Sequence, residues 1–232
     1  MENLHTAASQ HTIRSATAPQ EHGRSLCVSR RRRLPAHIGF IPDGNRRWAV
    51  QRGLEKQDGY GYGIAPGIAL LEQCQSLGIE EISIYGFTQD NTRRPAIQKE
   101  RFSKACVDFA VEAQRRDVAL LVVGDHRSTQ FPQALQPFTT RQGSGIKVNL
   151  LVNYGWEWDL DGLKSGAFHS HDISRMDLIV RWGGGRRLSG FLPVQSVYAD
   201  IYVVDDYWPD FTPVHLDDAL AWFELQDRTL GG

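Results

Sequence analysis

The stretch that decides the fold is residues 34–50, which read LPAHIGFIPDGNRRWAV. Its apolar part predicts a buried strand over residues 37–41, and the polar turn after it leads into a helix from Trp48. Short β-branched or apolar runs then alternate with helical stretches. The later strands are predicted at residues 81–87, 118–123, 146–152, 177–180 and 201–204, with long helices at 64–77 and 95–116. Because this alternation is typical of a parallel sheet, we predict a single α/β domain with a largely parallel sheet of about six strands, flanked by helices.

The turn inside this stretch has the composition of a phosphate site. Asp43 can hold a hard divalent cation through oxygen. Gly44 lets the backbone approach a phosphate closely, and Arg46 and Arg47 can form charge-assisted pairs with phosphate oxygens. The helix that follows would point its positive N-terminal end at the same anion. The stretch therefore indicates one half of a site for a diphosphate and a metal ion.

The composition is ordinary for a globular protein and excludes several classes. The chain has 232 residues, 41% of them hydrophobic and 23% charged, and a net charge of −1. With so little net charge, no global field recruits nucleic acid, which we exclude as a partner. The 3 cysteines are irregularly spaced, which argues against a disulfide framework or zinc cluster and fits a reducing cytoplasm. No apolar run approaches the roughly 18 residues of a membrane span, so we expect a cytoplasmic protein without integral membrane contact.

The N-terminal segment differs from the rest of the chain. Residues 1–33 lack apolar periodicity and close with four consecutive arginines. Such a composition predicts a disordered tail. We therefore place the catalytic domain at residues 34–232.

Polar residues follow each predicted strand. Because the carboxyl ends of parallel strands meet at one edge of a sheet, these residues should converge there. The glycine-rich run at residues 183–189, which follows Arg181, lacks the Gly-Lys-Ser/Thr ending of a Walker motif, and the first turn has too few glycines for a Rossmann fingerprint. These absences argue against ATP and NAD chemistry. The edge is instead predicted to bind two diphosphates and one Mg²⁺.

Five motifs, in order, resemble those of the cis-prenyltransferases, the undecaprenyl diphosphate synthase family. Residues 37–49 are similar to that family's H-x-x-x-x-M-D-G-N-x-R-W-A, and residues 85–95, YGFTQDNTRRP, to its Y-A-F-S-x-E-N-W-x-R-P. The others are NLLVNYG at 149–155, DLIVRWGGGRRLSGF at 177–191, and the segment from QSVYADIY to WPDF at 195–211. The resemblance covers nearly everything from Leu34 onward.

The resemblance implies a fold, a reaction and a set of site residues. A family member joins an allylic diphosphate to a second isoprenoid diphosphate and forms a homodimer. Asp43 and Asn91 are implied as catalytic, and Asp43 and Asp200 as ligands of Mg²⁺. The implied substrate-binding residues are Gly44, Asn45, Arg46, Arg47, Trp48, Lys56, Tyr60, Thr88, Arg94, Arg181, Arg187 and Ser189.

The chain also departs from the family pattern at its site. Tyr60 stands where the family has histidine, Thr92 where it has an aromatic residue, Pro42 where it has methionine, and Gly185 where it has glutamate. One interpretation is irregular coupling of two short allylic diphosphates, dimethylallyl or geranyl, as in the lavandulyl and cyclolavandulyl synthase subgroup, and this is the one we favour. The alternatives are regular head-to-tail elongation with isopentenyl diphosphate, and a non-catalytic partner subunit.

Overall fold

A single sheet of seven strands organises the molecule, in the order β4-β3-β5-β2-β1-β6-β7. The structure, a computed structural model, describes residues 33–227. All neighbouring strands are parallel except β3 and β4, which are antiparallel. The strands are β1 His37–Ile41, β2 Glu81–Tyr85, β3 Val118–Val123, β4 Gln142–Gly143, β5 Ile146–Leu151, β6 Leu178–Arg181 and β7 Asp200–Val203.

The helices connect these strands. They are α1 Asn45–Gln51, α2 Gly59–Tyr62, α3 Ile64–Leu77, α4 Ala96–Ala113, α5 Trp156–Asp161 and α6 Pro213–Glu224. Four 3₁₀ segments lie among the described residues, at Gln89–Arg93, Gln133–Thr139, Gly162–Ser165 and Trp208–Asp210. Residues 33–227 contain no helix with the length and apolarity that crossing a bilayer requires.

Both faces of the sheet are buried, which is why its strands are apolar throughout. Every residue of β1 and β3 is buried. Alternate side chains of β3 enter two different cores, with Leu120 and Val122 in the larger and Leu121 and Val123 in the smaller. The larger core is completed by α3, α4 and α6, whereas the smaller is completed mainly by irregular chain between α5 and β7. The helical cover of the sheet is therefore unequal.

The strand register fixes which residues share an edge. Ile41 at the end of β1 lies level with Arg181 at the end of β6, and Arg181 lies level with Val203 at the end of β7. The segments that leave these strands therefore start side by side. This is the crevice in which α/β proteins of this type hold their ligands.

The α/β prediction is confirmed, with one more strand than expected. The additional strand, β4, has two residues and caps the edge of β3. It is too short to show any period, and Gly143, its last residue, and Gly145, two residues later, have φ angles of 89° and 82°. Helix α3 and strands β1 and β3 match their predicted bounds. The other predicted elements differ by a few residues at their ends, as for β2, which ends at Tyr85 rather than at residue 87.

Arg33, the last residue of the predicted tail, lies within the part of the chain that the structure describes. Its guanidinium donates hydrogen bonds to the carbonyls of Phe223 and Gln226, at 2.6 and 2.9 Å, and lies over the Phe223 ring. A cation is favoured there because the last carbonyls of a helix lack intrahelical donors. Arg33 is thus held against the end of α6, while residues 1–32 and 228–232 lie outside the described part of the chain.

Candidate active site

A cavity of about 810 Å³ opens at the carboxyl ends of β1, β2 and β6. It brings together all but two of the residues predicted for the site. Those that line it are Asp43, Gly44, Asn45, Arg46, Arg47, Lys56, Tyr60, Thr88, Asn91, Arg94, Arg181, Arg187 and Ser189.

The turn after β1 shapes one wall of the cavity. Gly44 has a φ of 104°, and a Cβ on it would lie 2.5 Å from Cδ1 of Tyr207, so both the backbone and the neighbouring ring require glycine. The Gly44 amide donates to Oδ1 of Asp43 at 2.6 Å, and the Asn45 side chain donates to the Pro42 carbonyl at 3.0 Å. The turn is thereby fixed with the Asp43 carboxylate in the cavity.

The Asp43 carboxylate lies between two guanidinium groups. Nη2 of Arg181 donates to Oδ2 at 2.9 Å, and Nη2 of Arg47 lies 3.4 Å from Oδ1. Arg181 is only 3% exposed and also donates through Nη1 to Oγ of Ser189, at 3.0 Å, and to the carbonyl of Arg187. Its Nε is buried without a hydrogen-bond partner. Arg181 is therefore held by the residues with which it was predicted to bind one phosphate.

The glycines after β6 make room for these two arginines. A Cβ on Gly183 would lie 2.6 Å from Nη2 of Arg47, and a Cβ on Gly185 would lie 2.6 Å from Nε of Arg181. Gly183 also has a φ of 80°. Side chains at these two positions would occupy space that the guanidinium groups now fill.

Ser189 has a backbone conformation that is unusual for a residue other than glycine. Its φ is 54°, in the left-handed region. Its hydroxyl accepts from Arg181, and its carbonyl accepts a hydrogen bond from the hydroxyl of Tyr85, at 2.8 Å. These bonds on either side hold the strained residue, a pattern that is concentrated at functional sites.

A stacked pair of rings forms the opposite wall. The rings of Tyr60 on α2 and Phe102 on α4 are parallel within 2°, with centroids 4.5 Å apart. Nη1 of Arg94 donates to the Tyr60 hydroxyl at 2.9 Å. Burial raises the pKa of Tyr60, although the positive charges of Arg94 and Arg46 oppose that effect. Tyr60 is therefore a neutral phenol at physiological pH.

Asn91 lies in the 3₁₀ segment that follows β2. Its side-chain oxygen accepts a hydrogen bond from the backbone N–H of Thr88 at 3.2 Å, and its backbone N–H donates to the Thr88 carbonyl at 3.0 Å. The two residues thus fix each other at the cavity edge. An amide side chain has no basic group at neutral pH, so Asn91 can orient a ligand but cannot remove a proton by itself.

Two predicted site residues lie elsewhere. Trp48 is buried, and its ring nitrogen donates to Oδ1 of Asp210 at 2.8 Å, so it anchors α1 rather than lining the cavity. Asp200 begins β7 and is level with Leu178, about 10 Å back along the strand from the level of Arg181. Within one chain, Asp43 and Asp200 therefore cannot share a metal ion.

Other residues that were not predicted for the site also line the cavity. Tyr207 contacts the Gly44 turn, and the guanidinium of Arg47 lies 4.9 Å from its ring centroid. Tyr85 and Asp90 also line the cavity. Tyr207 directly precedes the Trp-Pro-Asp-Phe motif and Tyr85 ends a strand, so their positions beside recognised motifs were the available signal.

The cavity favours anions. Six cationic side chains and two carboxylates line it. The cationic residues come from five different segments of the chain, and Arg181 is nearly inaccessible to solvent, so their charges are less screened than those of isolated surface groups. Such a site can bind two phosphate-bearing ligands and stabilise negative charge that develops on either one.

The comparisons with known proteins agree with this geometry. The family model described as putative undecaprenyl diphosphate synthase matches residues 41–162 and 161–231. A ditrans,polycis-undecaprenyl-diphosphate synthase ((2E,6E)-farnesyl-diphosphate specific) of Aliivibrio fischeri is 29% identical over 230 residues, which is 85% of this chain and 89% of that protein. Cis-prenyltransferase 4, chloroplastic, of Solanum lycopersicum is 29% identical over 236 residues, covering 87% of this chain and 76% of that one.

A solved structure shares the fold. The crystal structure of lavandulyl diphosphate synthase from Lavandula x intermedia, in complex with dimethylallyl diphosphate, matches with a TM-score of 0.71 at 24% identity, over 85% of this chain and 98% of that one. The family match spans nearly all of the described residues and includes every segment that lines the cavity. The chain is therefore a prenyltransferase and belongs to the cis-prenyltransferase family, that of undecaprenyl diphosphate synthase.

Proposed function

We propose that this enzyme joins two short isoprenoid diphosphates, the allylic one bound at the Asp43–Arg47 turn and the second bound by Arg181, Arg187 and Ser189. The observation that carries the proposal is the excess of cationic over acidic side chains in one cavity. Two diphosphates bring several negative charges side by side, which mutual repulsion forbids unless cations lie between and around them. Arg181 lies between the two proposed positions, because it contacts both Asp43 and Ser189.

The geometry supports a substitution at the allylic carbon. The C–O bond to the allylic diphosphate breaks with its electron pair on oxygen, the second substrate's double bond forms the new C–C bond, and a proton leaves an adjacent carbon. Arg46 and Arg47 stabilise the charge on the departing diphosphate. Tyr60 is a neutral phenol and Asn91 an amide, so the released diphosphate is the available base. Tyr60 and Asn91 then act by orienting phosphate oxygens.

The residues present fit a magnesium ion bound together with substrate. Among residues 33–227, no three His, Cys, Asp or Glu side chains are grouped as a metal site. Mg²⁺, however, is commonly held by one or two carboxylates, water and substrate phosphates. Asp43 provides the carboxylate, and its present pairing with Arg181 and Arg47 shows that it faces positive charge. When bound, the ion supplies further positive charge against the leaving diphosphate.

Irregular coupling is the form of the reaction that we favour. The departures from the family pattern, Tyr60 and Gly185, fall on the site, whereas the motifs that build the sheet are kept. Tyr60 cannot transfer protons near neutral pH as a histidine can, because its pKa is raised. In regular elongation the second substrate is isopentenyl diphosphate; in irregular coupling it is another allylic diphosphate.

The test is to incubate purified enzyme and Mg²⁺ with dimethylallyl diphosphate or geranyl diphosphate, each with and without isopentenyl diphosphate. Mass spectrometry and NMR identify the products. Coupled product from allylic substrates alone supports the irregular reaction, and product only when isopentenyl diphosphate is present supports regular elongation. The enzyme used must first be shown to bind a diphosphate analogue to saturation. Absence of product in every mixture would then refute the proposal and favour a non-catalytic partner subunit.

We also propose that the enzyme forms a homodimer through the segment between β6 and β7. Val197 and Tyr198 are 64% and 60% exposed there, and Ile201 on the edge strand is 40% exposed. Apolar side chains concentrated on one surface are typical of an association site. Light scattering after size exclusion would show twice the chain mass, and Tyr198→Glu would reduce it to the mass of one chain. A cytoplasmic location stays a prediction from the cysteine content.

A further inference from the structure

His215, in the first turn of α6, lies outside the cavity and contacts three separate segments of the chain. Its Nδ1 accepts one hydrogen bond from the ring nitrogen of Trp182 and another from the backbone N–H of Thr212, both at 3.3 Å. Its Nε2 lies 3.2 Å from Oδ2 of Asp206. We call these four residues the His215 anchor.

The partners fix the tautomer of the imidazole. Because two N–H groups point at Nδ1, that nitrogen carries no hydrogen, and the ring hydrogen is on Nε2. Nε2 therefore donates to the Asp206 carboxylate. The His215 side chain is 15% exposed, so the bonds at its two nitrogens hold the ring in one orientation. The ring then sets the distance between the partners on its two sides.

Trp182 binds His215 from inside the core. It is fully buried, and its ring packs against those of Trp208 and Phe211, with centroids 4.8 and 5.8 Å away. A buried indole N–H needs an acceptor, which Nδ1 of His215 provides. Trp182 is thus fixed by packing and by one directional bond, and it directly follows Arg181 in the chain.

The anchor holds both sides of the glycine turn at residues 183–185. Trp182 directly precedes that turn. On the other side, the backbone N–H of Gly183 donates to the carbonyl of Asp206 at 2.8 Å, while the carboxylate of Asp206 accepts from His215. One imidazole therefore contacts the residue before the turn and also the residue that supplies the turn's hydrogen-bond acceptor.

The position of this turn decides where two cationic groups of the cavity lie. The guanidinium of Arg47 packs against Gly183, and that of Arg181 packs against Gly185, each without room for a Cβ between them. Because atoms in such close contact cannot shift independently, a displaced turn would move the guanidinium groups or leave gaps beside them. His215 is thereby connected to the cavity although it does not line it.

We propose that His215 is a positioning residue for the diphosphate site. Through Trp182 and Asp206 it fixes the glycine turn, and the turn places the guanidinium groups of Arg47 and Arg181. The inference rests on the proposed function, because it takes the ligands of these arginines to be diphosphates.

Removal of the Asp206 carboxylate separates this role from simple electrostatics. Asp206 is 67% exposed, so the Asp206→Ala enzyme should fold. If charge alone mattered, loss of a carboxylate beside an anion site would tighten the binding of an anion. Loss of the anchor should instead weaken binding by about two- to fivefold, the range expected from one exposed ionic contact.

The measurement is the Kd of inorganic pyrophosphate, obtained by titration calorimetry without Mg²⁺ so that it depends on the cationic side chains of the cavity. Asp205→Ala is the matched control. It removes the same charge from the neighbouring exposed residue, which takes no part in the anchor, and it should bind pyrophosphate as tightly as the wild type or more tightly. In turnover, Asp206→Ala should raise KM and keep kcat within about twofold, because no group at the reacting atoms is lost.

Substitutions of His215 test the ring itself. His215→Gln keeps an acceptor for the backbone N–H of Thr212, as in other capping boxes, and a donor for Asp206, so its Kd should stay within about twofold of the wild type. His215→Glu keeps the acceptor but repels Asp206, and it should weaken binding by about fivefold or more. Val214→Glu adds the same charge at the preceding residue, which is 58% exposed, and should change the Kd by less than about twofold.

The inference is overturned if Asp206→Ala binds pyrophosphate as tightly as Asp205→Ala, or if His215→Glu has no greater effect than Val214→Glu. Its failure differs from failure of the proposed function. Weaker binding in the anchor variants without coupled product in any substrate mixture would leave the anchor standing and refute the reaction. Coupled product with unchanged Kd values would refute the anchor alone, and a wild-type enzyme that binds no pyrophosphate would overturn both.

Discussion

Gly185 offers a sharp test of the arrangement around Arg181. A Cβ at this position would lie 2.6 Å from Nε of Arg181 and 2.8 Å from its Cζ and Nη2. To reach an ordinary contact of 3.4 Å, the guanidinium must move by about 0.8 Å. Because Arg181 is 3% exposed and held by Asp43, Ser189 and Arg187, that movement can occur only by disturbing those contacts.

The expected cost of Gly185→Ala follows from the bond that is disturbed. A shift of this size along the 2.9 Å bond from Arg181 to Asp43 would lengthen it to about 3.7 Å, beyond hydrogen-bond range. A hydrogen bond to a charged group contributes about 1.5–3 kcal/mol. If the displaced guanidinium loses one such hydrogen bond to the bound diphosphate, kcat/KM should fall by about 10- to 150-fold.

The assay is steady-state release of diphosphate, with thermal unfolding measured alongside. Gly61→Ala is the matched control, because a Cβ there would have no heavy atom within 4 Å, and it should stay within about twofold of the wild type. A Gly185→Ala enzyme with wild-type kcat/KM would show that the position of Arg181 does not limit activity, and the proposed role of this arginine between two diphosphates would then be wrong.

Three further substitutions address single features. Asp43→Asn should lower kcat by about 100-fold or more at saturating Mg²⁺, because it removes the carboxylate beside the leaving diphosphate; loss below tenfold would contradict that role. Trp48→Phe removes the bond to Asp210 and should lower the free energy of unfolding by about 1.5–3 kcal/mol, with kcat/KM within threefold; the opposite pattern would return Trp48 to the substrate-binding set. Burial lowers the pKa of His37, so the folded state favours its neutral form, and stability should fall as pH drops below about 6.5. The thermal midpoints at pH 7.5 and 5.5 should differ less in His37→Gln than in the wild type or in the exposed-site control His171→Gln. Equal differences in all three proteins would show that His37 does not cause the loss of stability at low pH.

The site was predictable where the signal was local. The first motif placed a strand, a turn and two arginines in immediate succession, and the turn at Gly44 has the left-handed conformation that glycine permits. The parallel sheet then brought Arg181 to the level of Ile41, as the rule on carboxyl ends requires. The convergence of the side chains that follow β1 and β6 could therefore be predicted from the sequence.

The errors have equally specific causes. The predicted helix began at Trp48, but α1 begins at Asn45, so Trp48 lies on the inward face of the first turn and its neighbours face the cavity. The prediction of Asp200 as a metal ligand came from motif order, which does not tell that the residue stands at the start of β7, level with Leu178. Tyr207 lies at the site through its contacts with Gly44 and Arg47, and no period or spacing in the sequence encodes such contacts.

The two edges of the sheet are protected in different ways. Strand β4 covers β3, while β7 is short and starts with a carboxylate. A charge at an exposed edge discourages pairing with a strand from another molecule. In one chain, Asp200 is therefore placed where a charge discourages pairing of β7 with strands of other proteins. Replacing Asp200 with valine would lengthen an apolar edge beside Ile201. The variant should precipitate during expression, even where the kinetic constants of its soluble fraction are unchanged.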